Sequence, residues 1–255
     1  MATSRSRHGS RSFNVLVTSC FSADAASFID AMLGHQNVLP SFGLFSNDAI
    51  PIELVYGKER RLALYPSRPS ERAEPLIFDN PTPYTFRKHF PKFLRNDNFH
   101  TAFHHATITC DLPLLKSGIN LVNISTMPYS WGFDQLLEDY APKADVIIYL
   151  INAMMMYTSD DKSFLRALNV RRTRNLIICY DNMGWIFTNE SPNYMDEFYA
   201  DARTNALKHT GLGEDAIHFI DSHDALEAKL TNNEALYTSS GMAAFEKFYI
   251  DYLMQ

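Results

Sequence analysis

Apolar positions along the chain recur in two rhythms. Residues 13–18, 146–152, 175–179 and 217–220 form short, near-continuous apolar runs. Runs of that length, bounded by polar or turn residues, predict strands buried on both faces of a sheet. Between them the spacing changes to that of helices. Phe28, Ile29, Met32 and Leu33 repeat at three and four residues and stop at Gly34, which predicts a short first helix. Residues 133–140, 159–168 (with Asp160 and Asp161 in the first turn) and 194–210 continue the helical series. Residues 241–253 close it, with Met242, Phe245, Phe248, Tyr249 and Tyr252 on one broad apolar face.

The remaining segments are less regular. Residues 50–56 and 61–65 read as two strands joined at the Gly57-Lys58-Glu59 turn. The proline-rich stretch 66–83 reads as an irregular crossing, and 84–96 as helical. Residues 107–110 and 119–123 are strand-like, with 112–117 between them and Gly118 as a turn. Residues 37–49 and 127–131 are loops. Strands alternating with helices predict one doubly wound α/β domain over residues 13–255, with no internal repeat. Residues 1–12 form a basic, Ser-rich tail for which disorder is expected; a short organellar transit peptide has the same composition.

Composition narrows the function classes. With 255 residues, 46% hydrophobic and 20% charged, the chain supports one large core. The net charge of -6 argues against a nucleic-acid-binding surface. Cys20, Cys110 and Cys179 make no C-x-x-C pair and read as buried thiols in a reducing, cytoplasmic setting. No apolar run is long enough to cross a membrane.

The first strand, loop and helix have the frame of a phosphate-binding loop. In G-x-x-x-x-G-K-[ST] the glycine backbone wraps the phosphates, Lys neutralises them and the hydroxyl holds Mg²⁺. Here Ser19 and Asp24 stand at the glycine positions, Ala25 at the Lys position and Ala26 at the hydroxyl position. Asp24 is expected in the first turn of the helix, where a carboxylate caps it and repels a phosphate. The alternative is an unconventional anion site built from Ser19, Ser22, Ser27 and the helix N-terminus.

Segment order and motifs resemble the GTPase domain of the dynamin superfamily, in its bacterial dynamin-like form. The likeness rests on Ser27-Phe28-Ile29-Asp30-Ala31-Met32-Leu33-Gly34, on Val38-Leu39-Pro40, on the run from Leu112 to Val122, and on Lys143-Ala144-Asp145-Val146-Ile147. It implies a P-loop NTPase-like three-layer domain, a mostly parallel central sheet with helices on both faces. It also places the chemical motifs. The switch threonine falls near Ser46, Asn47 and Asp48. D-x-P-G falls on Asn123-Ile124-Ser125-Thr126, and [NT]-K-x-D on Tyr180-Asp181-Asn182-Met183. The residues that would hold metal, γ-phosphate and guanine are replaced together, so the resemblance implies a pseudo-GTPase for which neither GTP nor Mg²⁺ is expected. A divergent GTP-binding protein with weak binding and hydrolysis is the alternative. The family's membrane-active helical stalk has no counterpart in these 255 residues, so membrane association would be indirect.

What would then matter is surface. The former nucleotide face, residues 19–24, 43–48, 125–131 and 181–185, carries Phe21, Phe42, Phe45, Tyr129, Trp131 and Trp185, with Phe187 close by, on expected loops. Loop aromatics anchor binding hot spots. The partner implied is an active dynamin-like GTPase or a second copy of this chain. The competing expectation is that these rings fold inward and fill the empty pocket. Met154, Met155 and Met156 form either an adaptable contact surface or part of the core. His100, His104 and His105 would be zinc ligands only on a helix with a third ligand. Ser222-His223-Asp224 has a triad's letters but not its spatial logic, since triads are assembled from distant residues.

Overall fold

The computed structural model describes residues 12–20, 24–39, 50–67, 74–82, 103–125, 134, 136–171 and 175–253. Strands β1 (Phe13–Ser19), β2 (Ile52–Tyr56), β3 (Arg61–Pro66), β4 (Leu76–Asp79), β5 (Phe103–Cys110), β6 (Ile119–Ser125), β7 (Val146–Asn152), β8 (Leu176–Asp181) and β9 (Ile217–Phe219) form one sheet. Their order is β4-β3-β5-β2-β6-β1-β7-β8-β9. The pairs β1/β6, β1/β7, β7/β8, β8/β9 and β2/β5 are parallel; β2/β6, β3/β4 and β3/β5 are antiparallel. The sheet is therefore mixed and mostly parallel, with helices on both faces.

Alternation along the strands sorts the core into two layers. Val15 and Val17 of β1, with Ile148 and Leu150 of β7, face α1 (Ala25–Leu33), α6 (Ser222–Thr231) and α8 (Met242–Leu253). Leu16, Tyr149 and Ile151 face the other way, onto α3 (Ser159–Arg171), α4 (Met183–Asn189) and α5 (Pro192–Ala206). Two shorter helices among the described residues are α2 (Pro113–Lys116) and α7 (Glu234–Ser239).

Helix ends follow local chemistry. Ser191 caps α5 with Pro192 at its first position, and Gly34 ends α1 in the left-handed region at φ 64°. The Lys229 ammonium donates to the Ala31 and Met32 carbonyls at 2.7 and 3.1 Å and pairs with Glu246 at 2.5 Å. A cation at the C-terminal carbonyls of α1 complements the helix dipole and ties α1 to α6 and α8.

Several expectations are corrected. The two strands flanking Gly57 are not a hairpin, because β5 is inserted between them. The proline-rich crossing contains β4, whose three apolar residues Leu76, Ile77 and Phe78 are too few to signal a strand. β5 starts at Phe103 rather than near 107. Within the helix expected over 133–140, Asp134 is helical and Leu136–Tyr140 form a π-helical turn, followed by a 3-10 turn, Ala141–Lys143. Residues 183–185 and Phe187, expected on loops, belong to α4 (Met183–Asn189), and α7 was not foreseen. The tail 1–11, the helix expected at 84–96, and Ser22, Phe21, Phe42, Phe45, Ser46, Asn47, Asp48, His100, Thr126, Tyr129 and Trp131 lie outside the described residues.

Candidate functional site

Because β6, β1, β7, β8 and β9 run parallel, their C-terminal ends share one edge of the sheet. In open α/β sheets ligands bind outside this edge. It gathers the end of β1, the start of α1, Asn152, Asp181 and the β9–α6 connection.

β1 ends at Ser19, which is buried, and the Thr18 hydroxyl donates to the Ile124 carbonyl of β6 at 2.6 Å. Asp24 is the N-cap of α1. Its Oδ1 accepts the Ala26 and Ser27 N–H groups at 3.1 and 3.3 Å, and its Oδ2 accepts the Ser27 hydroxyl at 2.8 Å. Ala25 and Ala26, at the positions assigned to the lysine and the metal-binding hydroxyl, are buried in the core layer under the helix. The N–H groups that a phosphate takes at a helix N-terminus are thus donated to an internal carboxylate. Asn123 lies within β6, paired with Val17 of β1 and Ile52 of β2. It brings an amide, which adds no charge toward a dication. These residues do not suit a nucleotide phosphate with its magnesium.

The far end of the edge is closed in the same manner. The Tyr180 ring is buried against Phe219 at 5.3 Å, and its hydroxyl donates to the Ala202 carbonyl at 3.0 Å. Asp181 turns back into the protein. Its Oδ1 accepts the Asn182 and Ser222 N–H groups at 2.8 and 2.9 Å, and its Oδ2 accepts the Ser222 hydroxyl at 2.8 Å. Asp221 caps α6 through Asp224 N–H at 3.0 Å and accepts Gly184 N–H of α4 at 2.9 Å. Two neighbouring carboxylates therefore zip the β8–α4 loop to the β9–α6 loop. Sequence reading assigned no role to Ser222 and Asp221, since their contacts with Asp181 and Gly184 span 41 and 37 residues. Ser222, His223 and Asp224 are consecutive on the first turn of α6, with the Ser222 hydroxyl committed to Asp181.

Burial raises the Asp181 carboxyl to about 6, against which its three hydrogen bonds act. A carboxyl raised in the folded state stabilises most below its unfolded value of about 4, and that stability is lost as pH rises through about 6. Asp181→Asn retains an acceptor for both N–H groups and removes the titration. Relative to the wild type, the variant is expected to gain about 2 kcal/mol between pH 4.5 and pH 7 in urea unfolding. A pH-independent difference between the two proteins would show that Asp181 is not the group that titrates.

Trp185 and Phe187, expected on a loop, project from α4, whose Met183 and Ile186 face the core. Trp185 is 48% and Phe187 52% exposed, so neither fills a pocket. Beside α4, a 3-10 turn, Ala153–Met155, follows β7, with Asn152 accepting Met154 N–H at 3.0 Å. Met154, Met155 and Met156 are 46%, 58% and 43% exposed, which decides for surface rather than core. The Tyr194 hydroxyl reaches the Met156 sulfur at 3.8 Å.

Other sequence candidates are dispersed. His104 and His105 are on β5, where His105 stacks on Tyr65 at 4.1 Å; this is a strand, not a helix with ligand spacing. Cys20, Cys110 and Cys179 are buried and form no disulfide with one another, and burial pushes the Cys110 thiol up to about 11. Among the described residues no helix is long and apolar enough to cross a membrane.

No family model and no curated protein matches the chain. Solved structures do. Two chains from work described as an oligomerised bacterial dynamin pair, for long-range sensing and tethering of membranes, superpose on it. One is 18% identical with a TM-score of 0.68, covering 94% of this chain. The other is 17% identical with a TM-score of 0.69, covering 97%. The chain spans 38% of the length of each. The shared feature is the fold, P-loop GTPase-like in class.

Proposed function

We propose that this domain is a non-catalytic pseudo-GTPase that works as a protein-binding module. The observation that carries the reading is the Asp24 cap. A phosphate at this loop would meet a carboxylate instead of a lysine, and the two N–H groups it needs already have a charged acceptor. The buried methyl groups of Ala25 and Ala26 supply neither a counter-charge nor a metal ligand. The exposed Met154, Met155, Met156, Trp185 and Phe187, at the same edge, supply what a binding face needs: aromatic anchors beside adaptable thioethers. An active dynamin-like GTPase, or a second copy of this chain, is the partner that the shared fold suggests.

Two measurements test the reading together. Calorimetry with GTP or GDP and Mg²⁺ is expected to show no binding tighter than about 10 μM, or about 7 kcal/mol. A low-micromolar dissociation constant would favour the divergent nucleotide-binding protein instead. Affinity capture from the native source, comparing the wild type with Trp185→Ala, is expected to lose the partner in the variant while stability changes by less than about 0.5 kcal/mol. Equal recovery with both proteins would overturn the assigned face.

A further inference from the structure

Away from that edge, the sheet carries a cavity of about 440 Å³ on the face opposite α1. Its floor is the side-chain rows of β1, β6 and β2. One wall is the 136–143 segment, through Asp139, Tyr140 and Lys143, and the other is His104 and His105 of β5. The volume falls within the range of small-molecule sites. Polar groups converge on it from strands that pair far from one another in sequence. Asn14 and Asn120 are opposite each other in the β1/β6 register, and the Asn120 amide donates to the Asn14 amide oxygen at 3.2 Å. Glu53 is opposite Val122 in the β2/β6 register and accepts the Tyr140 hydroxyl. Leu16, Val55 and Val122 supply an apolar floor.

Charge selects the ligand class. Glu53 is half-buried, and Tyr140 is a neutral donor, so most of the carboxylate's acceptor capacity stays available. His105 is held neutral by burial, pushed down to about 4. Lys143 is exposed at the mouth with its ammonium 6.0 Å from the Tyr140 ring centroid, and the exposed Asp139 offsets its charge. The charged described residues of the lining thus sum to one negative charge, with the carboxylate deepest. An incoming anion would be repelled, whereas an N–H⁺ donor gains a charge-assisted bond to Glu53 and the face of Tyr140.

We propose that this cavity binds a small organic cation, an amine or guanidinium compound of metabolite size. Its charged end sits on Glu53, and a hydroxyl, amide or second amine at its other end meets the Asn14–Asn120 amide pair. Lys143 is the internal competitor for the Tyr140 ring. The inference is independent of whether the domain binds nucleotide.

Calorimetry on the full chain with agmatine and putrescine as probes, and with 1,4-butanediol and succinate as neutral and anionic controls, tests it. At least one amine is expected to bind saturably with a dissociation constant below about 1 mM, and neither control is expected to bind. Glu53→Gln should weaken that amine at least about 10-fold. Lys143→Ala, an exposed change with little risk to folding, should tighten it several-fold by removing the competing ammonium. The proposal is overturned by any of three results: no saturable amine binding up to about 10 mM, equal binding of the controls, or an affinity that Lys143→Ala leaves unchanged or weakens.

Discussion

Gly241→Ala is expected to cost at least about 3 kcal/mol, a large share of the 5–15 kcal/mol typical of a domain. Gly241 has φ +76°, where an L side chain is strained, and a Cβ there would lie 2.1 Å from the Phe219 carbonyl oxygen. The neighbouring atoms are backbone too: Phe219 C at 3.2 Å and Ile220 Cα at 3.4 Å. Backbone cannot swing aside as a flexible side chain does, so β9 or the start of α8 must shift. The Ser240 carbonyl also accepts Asp221 N–H at 2.8 Å, so the shift reaches the loop that holds Asp221 and Ser222. Urea unfolding of the variant measures the loss; a change below about 1 kcal/mol would mean the turn has slack that the geometry denies.

Phe245→Ala should cost about 3–5 kcal/mol by the same measurement, the range for an aromatic deleted from a packed core. Phe245 is fully buried on α8. It meets Phe28 of α1 edge-on at 5.3 Å, His218 of β9 at 5.3 Å, and stacks on Tyr249 at 5.9 Å. Three elements therefore lose contact surface at once, and the sheet beneath has no freedom to collapse into the void. Phe245→Leu keeps most of the volume and should cost less than half as much. A loss under about 1.5 kcal/mol for the alanine variant would show that α8 is not an integral part of the core.

How far the sequence reads depends on the range of the interaction. β1, α1, β7, β8 and α8 were legible because their signals are local: a continuous apolar run, or an apolar face ending at a capping residue. The insertion of β5 between β2 and β3 was not, since strand pairing over about 40 to 55 residues leaves no mark on either strand's own pattern. α4 was hidden by Asn182 and Gly184, turn-type residues that serve a left-handed entry at φ 69° and a close approach to Asp221. At the candidate site the Asp24 cap could be expected from a carboxylate just before an apolar-periodic segment. The Asp181–Ser222 closure could not, because only the fold brings the ends of β8 and β9 together.

The strand order also sets a timetable for synthesis. β1, an interior strand of the sheet, pairs Phe13 with Ile119 on one side and Val15 with Val146 on the other. At the usual elongation rate of about 5–20 residues per second, the first of these partners leaves the ribosome roughly 5–20 seconds after β1 itself. Until then Val15, Leu16 and Val17 are a bare β-edge, open to strand addition by neighbouring nascent chains. The nascent polypeptide thus exposes, for that interval, a segment that is buried from Val15 to Ser19 in the finished domain, and a holdase engaging β1 as it emerges would shield it.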